Sequence, residues 1–246
     1  MWAGGIWFTL TVSAIAAVAA LELVQISSDR GVRPGAAFAV LPVVAVIIYA
    51  DLVPVSGSVA PVLAWSATAA AMASMLWLLL AAPSGGQGWS ALRALAVVGL
   101  VGGTLLHAPM LREFDEGRQW VTYLLAVTFA SDTSSYIVGS GLGRLKLAPG
   151  ISAGKTWEGA AGGVAGSVAA SVAAIGLLSL DVSLAVAIGA GVGLSIVGQL
   201  GDLGESRLKR LAGAKDSGVA VPGHGGIMDR LDSIVWNLVV VYHFVS

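Results

Sequence analysis

Residues 59–82 read VAPVLAWSATAAAMASMLWLLLAA and contain no charged side chain. About 20 consecutive apolar residues allow an α-helix to cross the hydrocarbon core of a bilayer. Similar stretches recur at roughly 2–26, 35–54, 91–110, 120–139, 158–180 and 182–201, with a shorter one at 231–246. Lipid requires internally satisfied backbone groups, and the sequence shows no strands of alternating polarity. The pattern therefore predicts an all-α polytopic membrane protein with about eight transmembrane helices.

The composition agrees with this fold class. Of the 246 residues, 57% are hydrophobic and 11% are charged, and the mean hydropathy is +0.86. Soluble domains carry about 25% charged residues, so this chain has too few charges to cover a surface exposed to water. Its formal net charge of −1 also lacks the excess of positive charge with which proteins bind nucleic acids. These values argue against a soluble enzyme, a disordered chain and a nucleic-acid-binding protein.

The chain has no cysteine and three histidines. The lack of cysteine excludes disulfide frameworks, thiolate metal sites and cysteine nucleophiles. A metal ion would have to be held mainly by carboxylates, which favour hard cations such as Mg²⁺.

The distribution of Lys and Arg predicts the topology. Eleven of the 13 basic residues lie in connections 1, 3, 5 and 7, whereas Arg112 and Arg118 are the two in an even-numbered connection. Basic residues are enriched on the cytoplasmic side, so we expect the odd connections to face the cytoplasm. The most polar connections, 140–157 and 202–230, then share the cytoplasmic face of the inner (plasma) membrane. We expect a polar active site on that face.

The densest polar segment, residues 199–232, holds five basic and five acidic groups. Asp202 directly follows one predicted helix, and Asp229 and Asp232 directly precede another. Positions i and i+3 share a face of a helix, so Asp229 and Asp232 are predicted to point the same way. Carboxylates at helix ends can bind a divalent cation, and neighbouring Lys and Arg side chains can bind phosphates. From composition alone, a solvated loop is an equal alternative.

Two upstream features concern chemistry as well. Asp132 lies inside a predicted span, where an ionisable group is a functional candidate by default; a satisfied interhelical hydrogen bond is the alternative. Residues 149–159 look like a P-loop, but the spacing is one residue short and no strand is predicted before it. Its Gly-Lys-Thr, residues 154–156, is still predicted to open a helix and bind phosphate through backbone N–H groups and the ammonium. We interpret Glu22 and His107, which also lie in spans, as structural.

The polar segment resembles the signature of the phosphatidate cytidylyltransferases, also called CDP-diacylglycerol synthases. The matching residues are Ser206, Leu208, Lys209-Arg210, Lys215-Asp216, His224-Gly225-Gly226, Asp229-Arg230 and Asp232. Val221 is a small departure, since the family more often has Leu, Ile or Phe there. Upstream, Asp132 and Ser152-x-Gly154-Lys155-Thr156-Trp157-Glu158-Gly159 also look like the family's segments. The resemblance divides the chain into N-terminal transmembrane helices, 1–118, and a catalytic transmembrane region, 119–246, with the signature loop 199–232.

The resemblance implies the reaction CTP + phosphatidate → CDP-diacylglycerol + pyrophosphate, in phospholipid biosynthesis at the lipid bilayer. It implies Mg²⁺ as cofactor, with a second cation left open, and it is compatible with a homodimer. The implied catalytic residues are Asp202, Asp229, Lys209 and Arg210. The implied metal ligands are Asp202 and Asp229 first, with Glu205, Ser206 and Asp232 close in. The implied substrate-binding residues are Asp132, Ser152, Lys155, Thr156, Lys215, His224, Gly225, Gly226 and Arg230.

Two other functions are open from the sequence. A CTP-dependent polyprenol or phytol kinase also binds CTP beside a membrane helix bundle, but it transfers the γ-phosphate and releases CDP. The full signature through Asp232 favours the cytidylyltransferase. A membrane transporter would use Asp132 and Asp202 in an ion or substrate path and predicts inverted repeats, which the sequence does not show convincingly.

Overall fold

The computed structural model describes residues 5–27, 33–80, 87–218 and 225–246. Within these ranges the helices are α1 (Gly5–Ser27), α2 (Arg33–Leu52), α3 (Val59–Leu80), α4 (Gln87–Val97), α5 (Gly103–Leu105), α6 (His107–Arg112), α7 (Gly117–Leu142), α8 (Trp157–Leu177), α9 (Leu184–Leu211), α10 (Met228–Leu231) and α11 (Ile234–Val245). A π-helical turn, Val98–Gly102, joins α4 to α5. Strands β1 (Lys146–Ala148) and β2 (Ser152–Thr156) form a hairpin between α7 and α8.

The fold is that of an all-α polytopic membrane protein, as the sequence predicts. Among the described residues, five helical segments are long and apolar enough to cross a bilayer: Gly5–Ile26, Val59–Leu80, Ala91–Arg112, Trp157–Leu177 and Leu184–Leu211. Two shorter apolar helices are Phe38–Leu52 and Ile234–Val245. Helix α7 has 26 residues and carries a polar run, Ser131–Ser135, near its middle. The expectation of about eight transmembrane helices stays a prediction.

The chain divides into two compact units. The first comprises Met1–Asp115, Leu208–Leu231 and Tyr242–Ser246, and the second comprises Glu116–Arg207 and Asp232–Val241. The functional division predicted from the sequence, 1–118 and 119–246, stays a prediction.

The first unit packs its helices through small side chains. Ala16, Ala19 and Ala20 of α1 are fully buried, and α1 packs along α2. A Cβ on Gly103 would lie only 2.7 Å from the carbonyl oxygen of Ala67 in α3. Small residues allow membrane helices to approach closely where the lipid provides no hydrophobic driving force.

Polar side chains also join helices inside the first unit. The Oγ1 atom of Thr68, in α3, lies 2.9 Å from Nε2 of His243 and 3.3 Å from Nε2 of His107. Nδ1 of His107 lies 3.0 Å from the carbonyl oxygen of Thr104. Since that carbonyl only accepts, Nδ1 donates, and His107 is satisfied within the helical bundle.

In the second unit, α7 packs along α8 through glycines of α8. A Cβ on Gly159 would lie 2.9 Å from the carbonyl oxygen of Ser135, and one on Gly163 would lie 2.1 Å from its Oγ. Helix α9 joins this pair through a 2.8 Å hydrogen bond between Ser131 and Ser195. Paired hydroxyls of this kind join apolar helices where no water is present to satisfy them.

Two helix boundaries differ from the predictions in ways that matter for the site. Helix α9 continues to Leu211, ten residues beyond the predicted apolar span, so the start of the signature loop 199–232 is helical. The run Leu203–Leu211 holds no proline and its one glycine, Gly204, does not interrupt the helix. The last apolar helix begins at Ile234, so Asp232 precedes it.

Candidate active site

A hairpin holds Lys155 in the second unit. Strand β1 pairs antiparallel with β2, with Lys146 opposite Thr156. The Thr156 hydroxyl accepts a 3.1 Å hydrogen bond from the N–H of Gly159 and thereby caps the first turn of α8. These contacts fix the backbone on both sides of the lysine, so its side chain extends from a well-defined position.

Residues 154–156 lead into helix α8, as predicted, but they are not themselves helical. They lie in strand β2, and Thr156 has the extended backbone of a cap residue, with φ −130° and ψ 156°. The following carboxylate, Glu158, accepts hydrogen bonds from the N–H groups of Arg144 and Leu145 at 3.1 and 3.2 Å. It secures the hairpin to the helix, and phosphate binding by the Lys155 ammonium stays a prediction.

A cavity of about 360 Å³ opens beside Lys155 in the second unit. Its volume lies within the range of small-molecule sites in proteins. Helices α7, α8 and α9 and the hairpin contribute to its wall. The lining residues are Asp132, Ser135, Tyr136, Gly139, Ser140, Leu147, Ser152, Gly154, Lys155, Thr156, Gly159, Ala160, Gln199 and Asp202. Five residues predicted for the site, Asp132, Ser152, Lys155, Thr156 and Asp202, thus surround one space.

Lys155 and Asp202 form an ion pair across this cavity. The Nζ atom of Lys155 lies 2.6 Å from Oδ2 of Asp202, and the two side chains are 23% and 29% exposed. The Ser206 hydroxyl donates to the other oxygen of Asp202 at 3.3 Å. Asp132 interacts electrostatically with both members of the pair. The pair is accessible enough for a ligand to reach it.

Asp232 adds a further carboxylate near Asp202. It lies in the turn before α11, where its Oδ1 atom accepts a 2.7 Å hydrogen bond from the N–H of Ser233. Burial raises the pKa of the Asp232 carboxyl, and the charges of Asp202 and Asp132 raise it further. Three carboxyl groups therefore lie close together in the second unit, with the Lys155 ammonium near Asp202 and Asp132. A bound cation would favour their ionised forms.

The structure does not place Asp229 and Asp232 on one helix, so the condition for a shared helical face is not met. Helix α10 ends at Leu231, and Asp232 lies in the turn that follows. The spacing i, i+3 implies a shared face only where one helix includes both residues.

The carboxylates fit Mg²⁺ in part. No group of three or more His, Asp or Glu side chains in the described ranges is arranged to hold a metal ion alone. Proteins commonly bind Mg²⁺ through one or two carboxylates, while water and substrate phosphates complete the coordination. Asp202 and Asp232 are neighbouring hard oxygen donors of this kind. Magnesium therefore stays a prediction with which the donor set is chemically compatible.

A second cluster, in the first unit, surrounds Asp229. Its Oδ1 atom lies 2.5 Å from Nζ of Lys209, and its Oδ2 atom accepts hydrogen bonds of 2.8 Å from the N–H groups of Ser217 and Gly226. Burial alone would raise the pKa of Asp229, but the hydrogen bond from Lys209 and those from the two N–H groups outweigh it and lower the pKa. Asp229 is thus held as an anion in a fixed orientation.

The glycines of the His-Gly-Gly motif have a backbone role in this cluster. Gly225 has a φ of +84°, a conformation that favours glycine. A Cβ on Gly226 would lie 2.0 Å from Oγ of Ser217 and 2.5 Å from Oε2 of Glu22. Larger residues at either position would therefore strain or displace the groups that hold Asp229.

The remaining predicted residues occupy varied environments. Lys209 and Glu205 are buried, whereas Arg210, Lys215 and Arg230 are exposed. Arg210 donates to the carbonyl oxygen of Ala214 at 3.3 Å. His224 lies outside the described residues.

Comparison with known proteins decides the family. The model of the cytidylyltransferase family matches residues 1–246. The chain belongs to the cytidylyltransferase family. It is 35% identical over 246 residues to a phosphatidate cytidylyltransferase of Brucella abortus biovar 1 (strain 9-941), covering 99% of this chain and 86% of the relative. It is 39% identical over 123 residues to a phosphatidate cytidylyltransferase of Staphylococcus aureus (strain COL), covering 50% of this chain and 47% of the relative.

Two polar residues of this cytidylyltransferase, Gln199 and Glu22, are not among the site residues predicted from the sequence. Gln199 lines the cavity and donates to Oγ of Ser195 at 2.9 Å and to the carbonyl oxygen of Ala160 at 3.3 Å. Glu22 is 4% exposed and binds the signature segment in the first unit. A carboxylate in an apolar span is a functional candidate, and that signal was available for Glu22. Nothing in the sequence distinguishes Gln199 from an ordinary polar residue near a helix end.

Proposed function

We propose that this membrane-bound cytidylyltransferase converts CTP and phosphatidate into CDP-diacylglycerol and pyrophosphate. The observation that carries the proposal is the accessible Lys155–Asp202 pair in a cavity that Asp132 also lines. An ammonium beside several carboxylates suits a substrate that brings phosphate groups and their counter-cation. The names of the relatives from Brucella and Staphylococcus support phosphatidate as the acceptor.

The reaction requires little proton transfer. A phosphate oxygen of phosphatidate attacks the α-phosphorus of CTP, and the bond from that phosphorus to the oxygen bridging to the β-phosphorus breaks. Pyrophosphate leaves with the electron pair of this bond. Catalysis then depends on holding two anions in line and offsetting their charge.

The residues of the second unit divide this work between them. Lys155 binds a phosphate oxygen, and Asp202 orients its ammonium until the substrate arrives. Asp132 orients the nucleotide or serves as a further metal ligand. Mg²⁺, held by Asp202 and Asp232 with Glu205 and Ser206 close by, would neutralise charge on the phosphates bound beside them.

The residues of the first unit have matching proposed roles. Asp229 is a metal ligand in the proposal, with its orientation fixed by Ser217 and Gly226. The cations Lys209, Arg210, Lys215 and Arg230 bind the triphosphate or the lipid phosphate, and His224 donates a hydrogen bond to one of them. Each proposed role is supported by the charge or hydrogen-bonding capacity of the side chain and by the resemblance of residues 199–232 to the signature of the phosphatidate cytidylyltransferases.

The setting of the reaction is also part of the proposal. The uneven distribution of Lys and Arg supports a multi-pass protein of the plasma membrane with its active site facing the cytoplasm. CTP then enters from the cytoplasm, and phosphatidate enters from within the bilayer. The homodimer stays a prediction, for which the molar mass of the purified protein in detergent is the measurement.

Product identity tests the proposed function. Purified protein in detergent micelles receives phosphatidate, Mg²⁺ and CTP labelled with ³²P at the α-phosphate. The proposal expects label in the lipid fraction, release of pyrophosphate, and loss of both with EDTA. Label in soluble CDP that depends on a lipid alcohol would instead show a kinase. If folded protein turned over neither acceptor, the proposal would be wrong.

A further inference from the structure

Glu22 is a buried carboxylate, and within the ranges that the structure describes its hydrogen-bond partners belong to the signature segment 199–232. Its Oε1 atom accepts a 2.9 Å hydrogen bond from the N–H of Ile227, and its Oε2 atom accepts one of 2.9 Å from the N–H of Met228. The Ser217 hydroxyl donates to Oε2 at 3.1 Å. Three donors compensate for the burial of one carboxylate, so this arrangement is specific for an acceptor on both oxygens.

Ser217 connects Glu22 to Asp229. While its hydroxyl donates to Glu22, its Oγ atom accepts a 3.3 Å hydrogen bond from the N–H of Asp229, and its own N–H donates to Oδ2 of Asp229 at 2.8 Å. Gly226 makes a similar connection, because its N–H donates to Asp229 and its Cα faces Glu22. Any displacement of the Glu22 carboxylate would therefore be transmitted to the backbone that orients Asp229.

We propose that Glu22 is a positioning residue, which fixes the orientation of Asp229 by joining the segments Asp216–Gly218 and Gly225–Met228 to helix α1. This inference rests on the proposed function for its effect on turnover. It also assigns a task to the N-terminal helix, since α1 supplies the acceptor for both segments.

The test compares Glu22→Gln with Thr9→Val in the same helix. Thr9 is also buried, and its hydroxyl donates to Oδ1 of Asp51 at 2.7 Å, away from the signature segment. Both variants are nearly isosteric, and each removes at least one hydrogen bond that a carboxylate accepts: Glu22 itself in the first, and Asp51 in the second. Thermal unfolding in detergent, measured for each, shows whether the losses of stability are comparable.

Turnover gives the first readout. We expect Glu22→Gln to lower kcat on the order of tenfold and to raise the Mg²⁺ concentration for half-maximal activity. The reason is that a misoriented Asp229 would bind the metal ion less well, and Asp229 is a metal ligand in the proposed function. Thr9→Val is expected to stay within about twofold of the wild type in both quantities. Equal effects of the two variants on kcat and on Mg²⁺ dependence would overturn the proposal.

Hydrogen exchange gives a second readout that does not depend on activity. The amide of Glu22→Gln keeps one acceptor oxygen and replaces the other with an NH₂ group, so one of the N–H groups of Ile227 and Met228 loses its acceptor, and a peptide containing both should exchange faster than in wild type and in Thr9→Val. Unchanged exchange there would also overturn the proposal. A failure of the proposed function is distinguishable, because wild-type protein would then label no phosphatidate while the exchange difference persisted.

Discussion

The ammonium of Lys155, at the end of strand β2, lies 2.6 Å from the carboxylate of Asp202, which belongs to helix α9. The two residues are 47 positions apart in the chain, and the cavity of about 360 Å³ opens beside them. A phosphate that enters this cavity would displace the Asp202 carboxylate from the Lys155 ammonium. The carboxylate would then be available to a cation that accompanies the phosphate.

Loss of the lysine should weaken substrate binding. Lys155→Ala is expected to raise the KM for CTP or for phosphatidate on the order of tenfold, because a charge-assisted hydrogen bond to phosphate is lost. Lys146→Ala, an exposed lysine of the same hairpin, is the matched control and should leave both KM values within about twofold. Steady-state kinetics with each substrate varied in turn provide the measurement. An unchanged KM for both substrates in Lys155→Ala would contradict the role given to the lysine.

Loss of either carboxylate near the lysine should change the dependence on Mg²⁺. Asp202→Asn and Asp232→Asn keep the size of the side chain but remove its charge. At limiting Mg²⁺ we expect turnover to fall roughly 100-fold or more, with part of the loss recovered at high Mg²⁺. The control is Asp181→Asn, an exposed carboxylate in the connection between α8 and α9. The measurement is turnover as a function of Mg²⁺ concentration for each variant. Near-wild-type turnover of Asp202→Asn at limiting Mg²⁺ would refute the metal assignment.

The contact between α7 and α8 should tolerate no side chain at Gly159. An alanine Cβ there would meet the carbonyl oxygen of Ser135 at 2.9 Å and Cα of Gly139 at 3.1 Å, and backbone atoms cannot move aside cheaply. We expect Gly159→Ala to destabilise the protein by about 1–3 kcal/mol. Gly176→Ala, in the same helix, meets nothing within 4 Å and should be neutral or stabilising by up to about 1 kcal/mol. Thermal unfolding in one detergent compares them, and equal melting temperatures would contradict the packing argument.

The predicted topology can be tested directly because the chain has no cysteine. Lys146→Cys and Arg118→Cys each introduce a single thiol at an exposed position. In intact cells, a membrane-impermeant maleimide should label Arg118→Cys and spare Lys146→Cys until the membrane is opened. The reverse pattern would place the hairpin outside the cell and would reject a cytoplasmic active site.

The sequence predicts the fold class well because hydropathy alone is decisive for a membrane protein. The predicted apolar stretch 158–180 corresponds to helix α8, Trp157–Leu177. The end of α9 is harder to predict from the sequence, since residues 202–211 carry all of the helix's charged side chains and are nevertheless helical. Hydropathy shows where a helix enters water but does not show that the helix continues beyond that point.

The candidate site was predictable where a residue is unusual in its surroundings. Asp132 and Asp202 are carboxylates in or beside apolar helices, and the structure places both at the same cavity. The hairpin that holds Lys155 was not foreseen, because strands of three and five residues leave too little periodicity to recognise. The hydrogen-bond partners of Glu22 are also not predictable from the sequence pattern, since Ser217 and Met228 lie about 200 positions away in the chain.

The length of helix α9 has a consequence for how the enzyme meets its lipid. Its 28 residues extend over about 42 Å, and Asp202 lies about 27 Å from the first residue. That distance is close to the roughly 30 Å thickness of the hydrocarbon layer. An α9 that crosses the bilayer upright from its first residue would therefore bring the carboxylate to the depth of the lipid headgroups. A diacyl substrate can present its phosphate there while its acyl chains stay among those of neighbouring lipids. The rate should therefore follow the mole fraction of phosphatidate in the micelle or vesicle surface, and dilution with inert detergent or lipid should slow it at constant bulk concentration.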